Sequence, residues 1–411
     1  MRNHLSLVYL SFFFYVLVVL ALTIFSYSFT DPNLVLSSHP IYWQWQQWMW
    51  RTWFDHPPLQ AQTYAILISA SWLTFGIFGW SVWRTAPHLT TKKLVVCGTV
   101  LLSISLFSYN ALSHDMFNYM FNARMVVAYN ANPHQKVALD FVGDVWLRFM
   151  HNTHTPAPYG YGWTGISLAP YILGGGRFLP TWFLFRLTAM LPLIGLAQLQ
   201  GRWLEKTSLA SRRWLILLLI SSPIVVTEVV ASSHNDLWMM LPAVTSIYML
   251  DQWLVKRRWR YVLAMIVLLG LSIAVKYATV VLVPLMVSVL LIELLKKRIA
   301  TVCSIPRPSL STLALFASIL MTLPLLTARS QYFHSWYWLW PFVWLPLITN
   351  KLWQAVLWGF AISSTLRYLP WIFAGGFEGT VVWQQQLVTW IGGAICSFII
   401  WLVLRRAKRS L

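Results

Sequence analysis

Apolar runs dominate the chain, and polar residues gather in the gaps between them. The runs cover residues 7–28, 62–83, 94–112, 180–199, 214–231, 237–253, 261–275, 277–295, 311–327, 337–349, 352–370 and 385–404. A helix needs about 20 apolar residues to cross a bilayer, and most of these runs approach that length. The stretch 261–295 is one apolar run broken near Lys276, and it reads as two spans meeting there. Residues 163–176 (WTGISLAPYILGGG) are apolar but short and end in three glycines. A re-entrant or interfacial helix suits them better than a crossing. The first run follows only Arg2 and lacks a small-residue cleavage site, so it reads as a retained helix and not a removed signal. The pattern predicts an all-α polytopic membrane protein, one integral domain over 1–411, with about twelve transmembrane helices.

Charge sets the direction of threading. With the N terminus inside and the spans alternating, most Lys and Arg residues fall on the cytoplasmic side. They include Arg84, Lys92 and Lys93; Lys256, Arg257, Arg258 and Arg260; and the basic tail 405–411. That satisfies the positive-inside rule; letting 163–176 cross would invert every later loop and break it. The formal net charge of +19 is therefore a membrane signal, not a nucleic-acid one. The outer face then receives residues 29–61, the large loop 113–179, the turn 232–236, Lys276, 328–336 and 371–384, with most of the histidines. Composition agrees: only 10% of residues are charged, and there are 26 Trp and 17 Tyr, which suit membrane interfaces. The three cysteines (Cys97, Cys303, Cys396) are scattered and mark neither a metal site nor a disulfide framework.

Six stretches on the outer face carry candidate chemistry. SHDMFNYMFNARMVVAYNANPH (113–134) predicts an amphipathic helix lying on the membrane, with His114 before it and Asp115 at its N-terminal end. Asp115 can be a helix cap or a catalytic carboxylate, and Arg124 a phosphate ligand or a headgroup anchor. APYGYGWTG (157–165) is a Pro/Gly/aromatic loop whose glycines permit close backbone approach. His234-Asn235-Asp236 is a tight turn between two spans, with more polar chemistry than a cap needs. Lys276 is an ionisable residue in an apolar run, a functional candidate whose natural partner is an anion such as phosphate. RSQYFHSWYWLWP (329–341) brings Arg329 and His334 to an aromatic-rich span. YWQWQQWMWRTWFDHPP (42–58) predicts an interfacial amphipathic helix, with a sugar-stacking platform as the second reading.

These motifs, in this order, resemble the GT-C superfamily of integral membrane glycosyltransferases, and within it the bacterial polyprenyl-phosphate-mannose-dependent α-1,6-mannosyltransferases. The likeness runs through Asp115-Met116-Phe117-Asn118-Tyr119, Asn132-Pro133-His134, Thr155-Pro156 to Trp163, Ser233-His234-Asn235-Asp236, Lys276, and His334-Ser335-Trp336-Tyr337. It covers about residues 110 to 340, and the His-Asn-Asp turn is its most specific part. Tyr161, His134 and Ser335 depart from the Pro, Tyr and Pro of the family pattern.

The resemblance implies a GT-C-like helical bundle with interfacial helices in the outer loops and an extracytoplasmic active site. Asp115 is then the general base. Lys276 is the first candidate for the donor phosphate, with Arg124, Arg329 and His334 behind it. His234 and Asp236 shape the sugar or phosphate site, and His114, Tyr119, Asn132, Tyr159, Trp163 and Asn235 fall in the matching motifs. The implied partners are a polyprenyl-phosphate sugar, a glycan or glycolipid acceptor, and membrane lipid. No cofactor is required; a divalent cation stays compatible with the outer histidines, although no ligand spacing marks a site. Two other readings remain: a transporter or flippase of lipid-linked sugars, and a noncatalytic membrane protein that binds glycolipids.

Overall fold

A computed structural model of the chain describes residues 2–85, 91–296, 306–327, 333–377 and 379–406. The described residues are helical, with no strand among them. Five helices are long and apolar enough to cross a membrane: Ser6–Phe29, Pro57–Thr85, Phe178–Glu205, Tyr277–Leu295 and Val381–Arg406. Ala210–Ser221 and Pro223–Ala231, bent by 42°, make a sixth if taken as one span. Shorter apolar helices include Val96–Ser105, Arg260–Val275 and Leu310–Leu326. The expected count of twelve is thus not reproduced by length and composition alone. The run 337–349 shows why: it folds into short turns at Ser335–Trp338, Leu339–Phe342 and Leu345–Leu347 and is buried almost throughout. A stretch of apolar residues reads alike whether it faces lipid or fills the bundle.

In chain order the helices that position the site are α1 (Arg2–Phe25), α2 (Pro40–Met49), α3 (Pro57–Thr85), α4 (Thr91–Ser105), α5 (Asp115–Tyr129), α6 (Tyr161–Leu173) and α7 (Phe178–Glu205). They are followed by α8 (Trp214–Ser221), α9 (Pro223–Val225), α10 (Asp236–Lys256), α11 (Arg260–Val275), α12 (Val283–Leu295) and α13 (Leu310–Leu320). The last three are α14 (Lys351–Leu366), α15 (Val381–Leu387) and α16 (Gly393–Arg406). Helix α1 is apolar all round, and Leu10, Phe13, Phe14, Leu17 and Leu20 stand exposed on it, as a lipid-facing helix requires. α1 packs on α3, α10 on α11, α5 on α6, and α14 on α16. One core runs from α4 through the buried turns near Trp340; a smaller one joins α1, α3 and α8.

The segment 113–179 contains two helices, α5 and α6, as the pattern predicts, but α5 is not a surface helix. Met116 to Phe121 are buried in succession, because α6, α7 and the short turns at 138–141 and 147–149 cover it. Helix α6 has 13 residues, about 20 Å at the helical rise, too short to cross. Helix α2 packs against the chain after α1, with Gln46 Nε2 donating to the Tyr27 carbonyl and Trp50 to that of Thr30. Its other face shows Ile41, Trp43 and Trp48, as an interfacial helix would.

Candidate active site

Three local features bring the polar residues together. First, the chain turns at Ser232–Asn235, with Ser233 at φ 59°, before α10 begins at Asp236. Second, α11 stops at Val275, and Lys276 is fully extended (φ −155°, ψ 127°) before a short 3-10 turn resumes the helix. Third, the glycines of 157–165 let α6 start against that break. The Gly160 amide donates to the Val275 carbonyl at 3.1 Å, and a Cβ on Gly160 would lie 2.0 Å from the Ala274 oxygen. The close approach that these glycines permit is to the neighbouring chain, not to a ligand.

Asp115 sits at the centre. Its Oδ2 accepts from the Tyr159 hydroxyl at 3.0 Å and from Tyr119 at 3.4 Å, and it lies 3.6 Å from His234 Nδ1. Trp163 stands edge-on to Tyr119, with ring centroids 5.0 Å apart. The cap position of α5 belongs to His114, and the hydrogen bonds to the Asp115 carboxylate come from the two tyrosine hydroxyls. Burial pushes its pKa up from the usual carboxylate range; the Tyr159 hydrogen bond and the Lys276 charge pull the other way.

The His-Asn-Asp turn is buried. Asn235 occupies the cap position of α10 but makes no capping bond, and neither of its amide atoms has a partner among the described residues. His234 stacks on Trp336 at 3.8 Å, and His334 stacks on Trp336 at 4.4 Å. The other ring nitrogen of His234 lies 3.6 Å from Glu228, which in turn accepts from the Tyr368 hydroxyl at 3.1 Å. Burial, reinforced by Lys276 and His334, holds His234 well below the usual histidine range, so its imidazole is neutral. Asp236 accepts from Lys276 Nζ at 2.8 Å and from the Trp340 indole at 2.6 Å. The Lys276 ammonium also lies about 5 Å from three ring centroids, those of Tyr159 (5.2 Å), Tyr337 (4.9 Å) and Trp340 (5.2 Å). Its charge is therefore already matched within the protein.

A cavity of about 650 Å³ opens beside Asp115. Its wall includes His114, Asn118, His151, His334, Arg367 and Tyr368, with Phe29, Phe54, Trp371 and Phe377 supplying apolar surface. The size is in the range of small-molecule sites. Asp115, Asn118 and Asn152 also line a narrower cleft on the side of Thr155–Tyr159. Within the wall His114 stacks on His151 at 3.9 Å, and burial with His151 beside it lowers its pKa to about 4.

Asp115, His114, Tyr119, Tyr159, Trp163, His234, Asn235, Asp236, Lys276 and His334 thus converge. Others do not. Arg124 pairs with Asp144, bonds Tyr171 at 3.3 Å and lies over Trp146 at 4.7 Å. That ion pair holds it within the loop, and it does not line the cavity beside Asp115. Asn132 donates to Tyr161 at 3.2 Å and accepts from the His134 amide at 3.0 Å, a turn-forming pattern. Arg329 lies outside the described residues. Trp336 and Trp340, from the aromatic stretch 329–341, stand beside the converging residues, and so do Glu228, Arg367 and Tyr368, which no motif marks. Glu228 and Arg367 carry the signal that marks Lys276, an ionisable group inside an apolar run. Among the described residues no three His, Cys, Asp or Glu side chains converge as a metal site would require.

The family model described as Alpha-(1->6)-mannopyranosyltransferase, N-terminal domain, matches residues 33–292. That segment holds every converging residue except His334. Comparison with curated proteins and with solved structures finds no match.

Proposed function

The chain belongs to the alpha-(1->6)-mannopyranosyltransferase family and is a glycosyltransferase, and from that premise we propose that it moves mannose from a polyprenyl-phosphate donor to a glycan or glycolipid hydroxyl at the outer face of the membrane. The observation that carries the proposal is Asp115, a carboxylate held by two tyrosines and shared by a large cavity and a narrower cleft. A base so placed can take a proton from an acceptor hydroxyl brought into the cavity. The acceptor hydroxyl gives its proton to Asp115 Oδ as its oxygen bonds to the anomeric carbon. The bond from that carbon to the lipid phosphate breaks, and the phosphate leaves with the electron pair. Attack opposite the leaving group inverts the carbon, so an α product requires a β-linked donor.

The surrounding residues have separate tasks. Tyr159 and Tyr119 orient the carboxylate, and neutral His234 sits behind it without adding a competing charge. Lys276 and Trp340 hold Asp236, the first residue after the turn that presents His234 and Asn235. The aromatic rings of the cavity wall suit the apolar face of a sugar and the first isoprene units of a lipid. No step calls for a metal, because a phosphate leaving group can be stabilised by fixed cations and donors alone.

The test is transfer from radiolabelled polyprenyl-phosphate mannose in membrane vesicles, comparing wild type with Asp115→Asn, with EDTA in parallel. We expect Asp115→Asn to lose about 100-fold or more of the rate, the scale of a general base, while donor still binds. Transfer should persist in EDTA. Undiminished transfer by Asp115→Asn would move the base elsewhere. Movement of the lipid-linked sugar across the bilayer without transfer would favour a flippase.

A further inference from the structure

Arg367 follows α14, beyond the segment that the family model matches. It is 4% exposed, yet it lines the cavity beside Asp115, next to His334, Tyr368 and Gln385. Among the described residues its side chain makes one hydrogen bond, to Thr389 Oγ1 at 3.0 Å. The Phe333 ring lies 5.8 Å away, and no described carboxylate is within ion-pair reach. Thr389 is held in a π-helical turn, Val388–Gly392, that joins α15 to α16, and Thr389 in turn donates to the Gln385 carbonyl at 2.7 Å. So one turn of helix fixes both Arg367 and Gln385 at the cavity wall. π-turns of this kind are frequent at functional sites.

A buried guanidinium with five N–H donors is costly when one threonine takes a single donor and no anion offsets the charge. The other charges around the cavity sharpen the point. Its wall carries two carboxylates, Asp31 and Asp115. The wall histidines do not add positive charge: burial, with His151 beside His114, brings His114 to about 4, and burial with Arg367 and Lys276 nearby brings His334 to about 3. Lys276 does not line the cavity and is spent on Asp236. Arg367 is therefore the one permanent cation in the described wall.

We infer that Arg367, with Gln385 and His334 beside it, forms an anion-binding corner of the cavity, and that its ligand is a phosphate ester. A planar guanidinium meets a phosphate with two parallel hydrogen bonds, which an ammonium cannot do. Gln385 offers an amide donor, and the neutral imidazole of His334 offers a third. With Asp115 as base and Arg367 as phosphate anchor, the sugar lies between them. Lys276 is then a positioning residue acting through Asp236. The corner rests on the transferase reading only for the source of the phosphate, the leaving group of a lipid donor.

The experiment is binding of farnesyl phosphate, and separately of inorganic phosphate, to the full-length protein purified in detergent. Wild type is compared with Arg367→Gln, Arg367→Lys and Gln385→Leu. We expect wild type to bind farnesyl phosphate, Arg367→Gln to bind it about tenfold or more weakly, as loss of a buried charged hydrogen-bond donor predicts, and Arg367→Lys to keep part of the affinity. If Arg367→Gln does not fold, Arg367→Lys and Gln385→Leu carry the comparison, and wild-type affinity in both overturns the corner. Wild-type affinity in a folded Arg367→Gln, or no binding by wild type, also overturns it. Equal affinity for inorganic phosphate keeps the corner but assigns it to free phosphate or a headgroup. Binding through Arg367 without mannosyl transfer leaves the corner standing and removes the lipid-donor reading. Full transfer by Arg367→Gln removes the corner and leaves the transferase.

Discussion

A general base works only while it is ionised, so the role proposed for Asp115 predicts a pH profile from its surroundings. Burial raises its pKa, and the hydrogen bond from Tyr159 and the charge of Lys276 resist that rise. Protonation disables the base, so kcat/KM should fall on the acid side, with a limb displaced upward from the ordinary Asp value of about 3.9. Tyr159→Phe removes a donor that favours the carboxylate, and should move that limb to still higher pH. Rate measurements on vesicles across acid and neutral pH check this; a limb that Tyr159→Phe leaves in place would show that another group controls it. His334 and His114, lowered to about 3 and about 4, should contribute no limb near neutrality. At the His-Asn-Asp turn and at Asp115 the sequence admits both a capping and a functional reading. Asn235 holds the cap position of α10 without a capping bond, and the cap position of α5 falls to His114 and not to Asp115.

Helix α6 shows how secondary structure places a single hydroxyl. Its start is locked to the end of α11 through Gly160 and Gly162, each of which would drive a Cβ to 2.8 Å or less from a backbone atom of Ala274. That contact sets Tyr159, one residue earlier, between Asp115 and Lys276. Gly160→Ala should cost about 1–3 kcal/mol, the usual penalty of overpacking, and should lower transfer by shifting Tyr159. Thermal unfolding in detergent reads the first effect and vesicle assays the second; a variant with native stability and rate would mean that the contact yields freely. The break at Lys276 and the turn at 232–236 were visible as interruptions of apolar runs. The burial of α5 was not, because its apolar spacing looks the same whether the covering surface is lipid or α6 and α7.

The bundle as a whole carries its polar residues unevenly, and the threading expected from the positive-inside rule predicts the Asp115 cavity on the outer side. Single cysteines introduced at His154 and at Arg405, in a chain freed of Cys97, Cys303 and Cys396, test that arrangement. A membrane-impermeant maleimide added to intact cells should label the first and not the second; the reverse pattern would put the site in the cytoplasm. What the sequence by itself determined is the class and the candidate residues: an all-helical membrane chain, the His-Asn-Asp turn, the broken run at Lys276, and Asp115 after an apolar run. These are local, because hydropathy, charge and short motifs act over a few residues. Tertiary structure decided which polar groups share a cavity. It paired Arg124 with Asp144 and Lys276 with Asp236, and it brought in Glu228, Tyr368 and Arg367 from distant segments. A one-dimensional pattern shows that a charge lies in an apolar run, but only packing in three dimensions selects the partner that neutralises it.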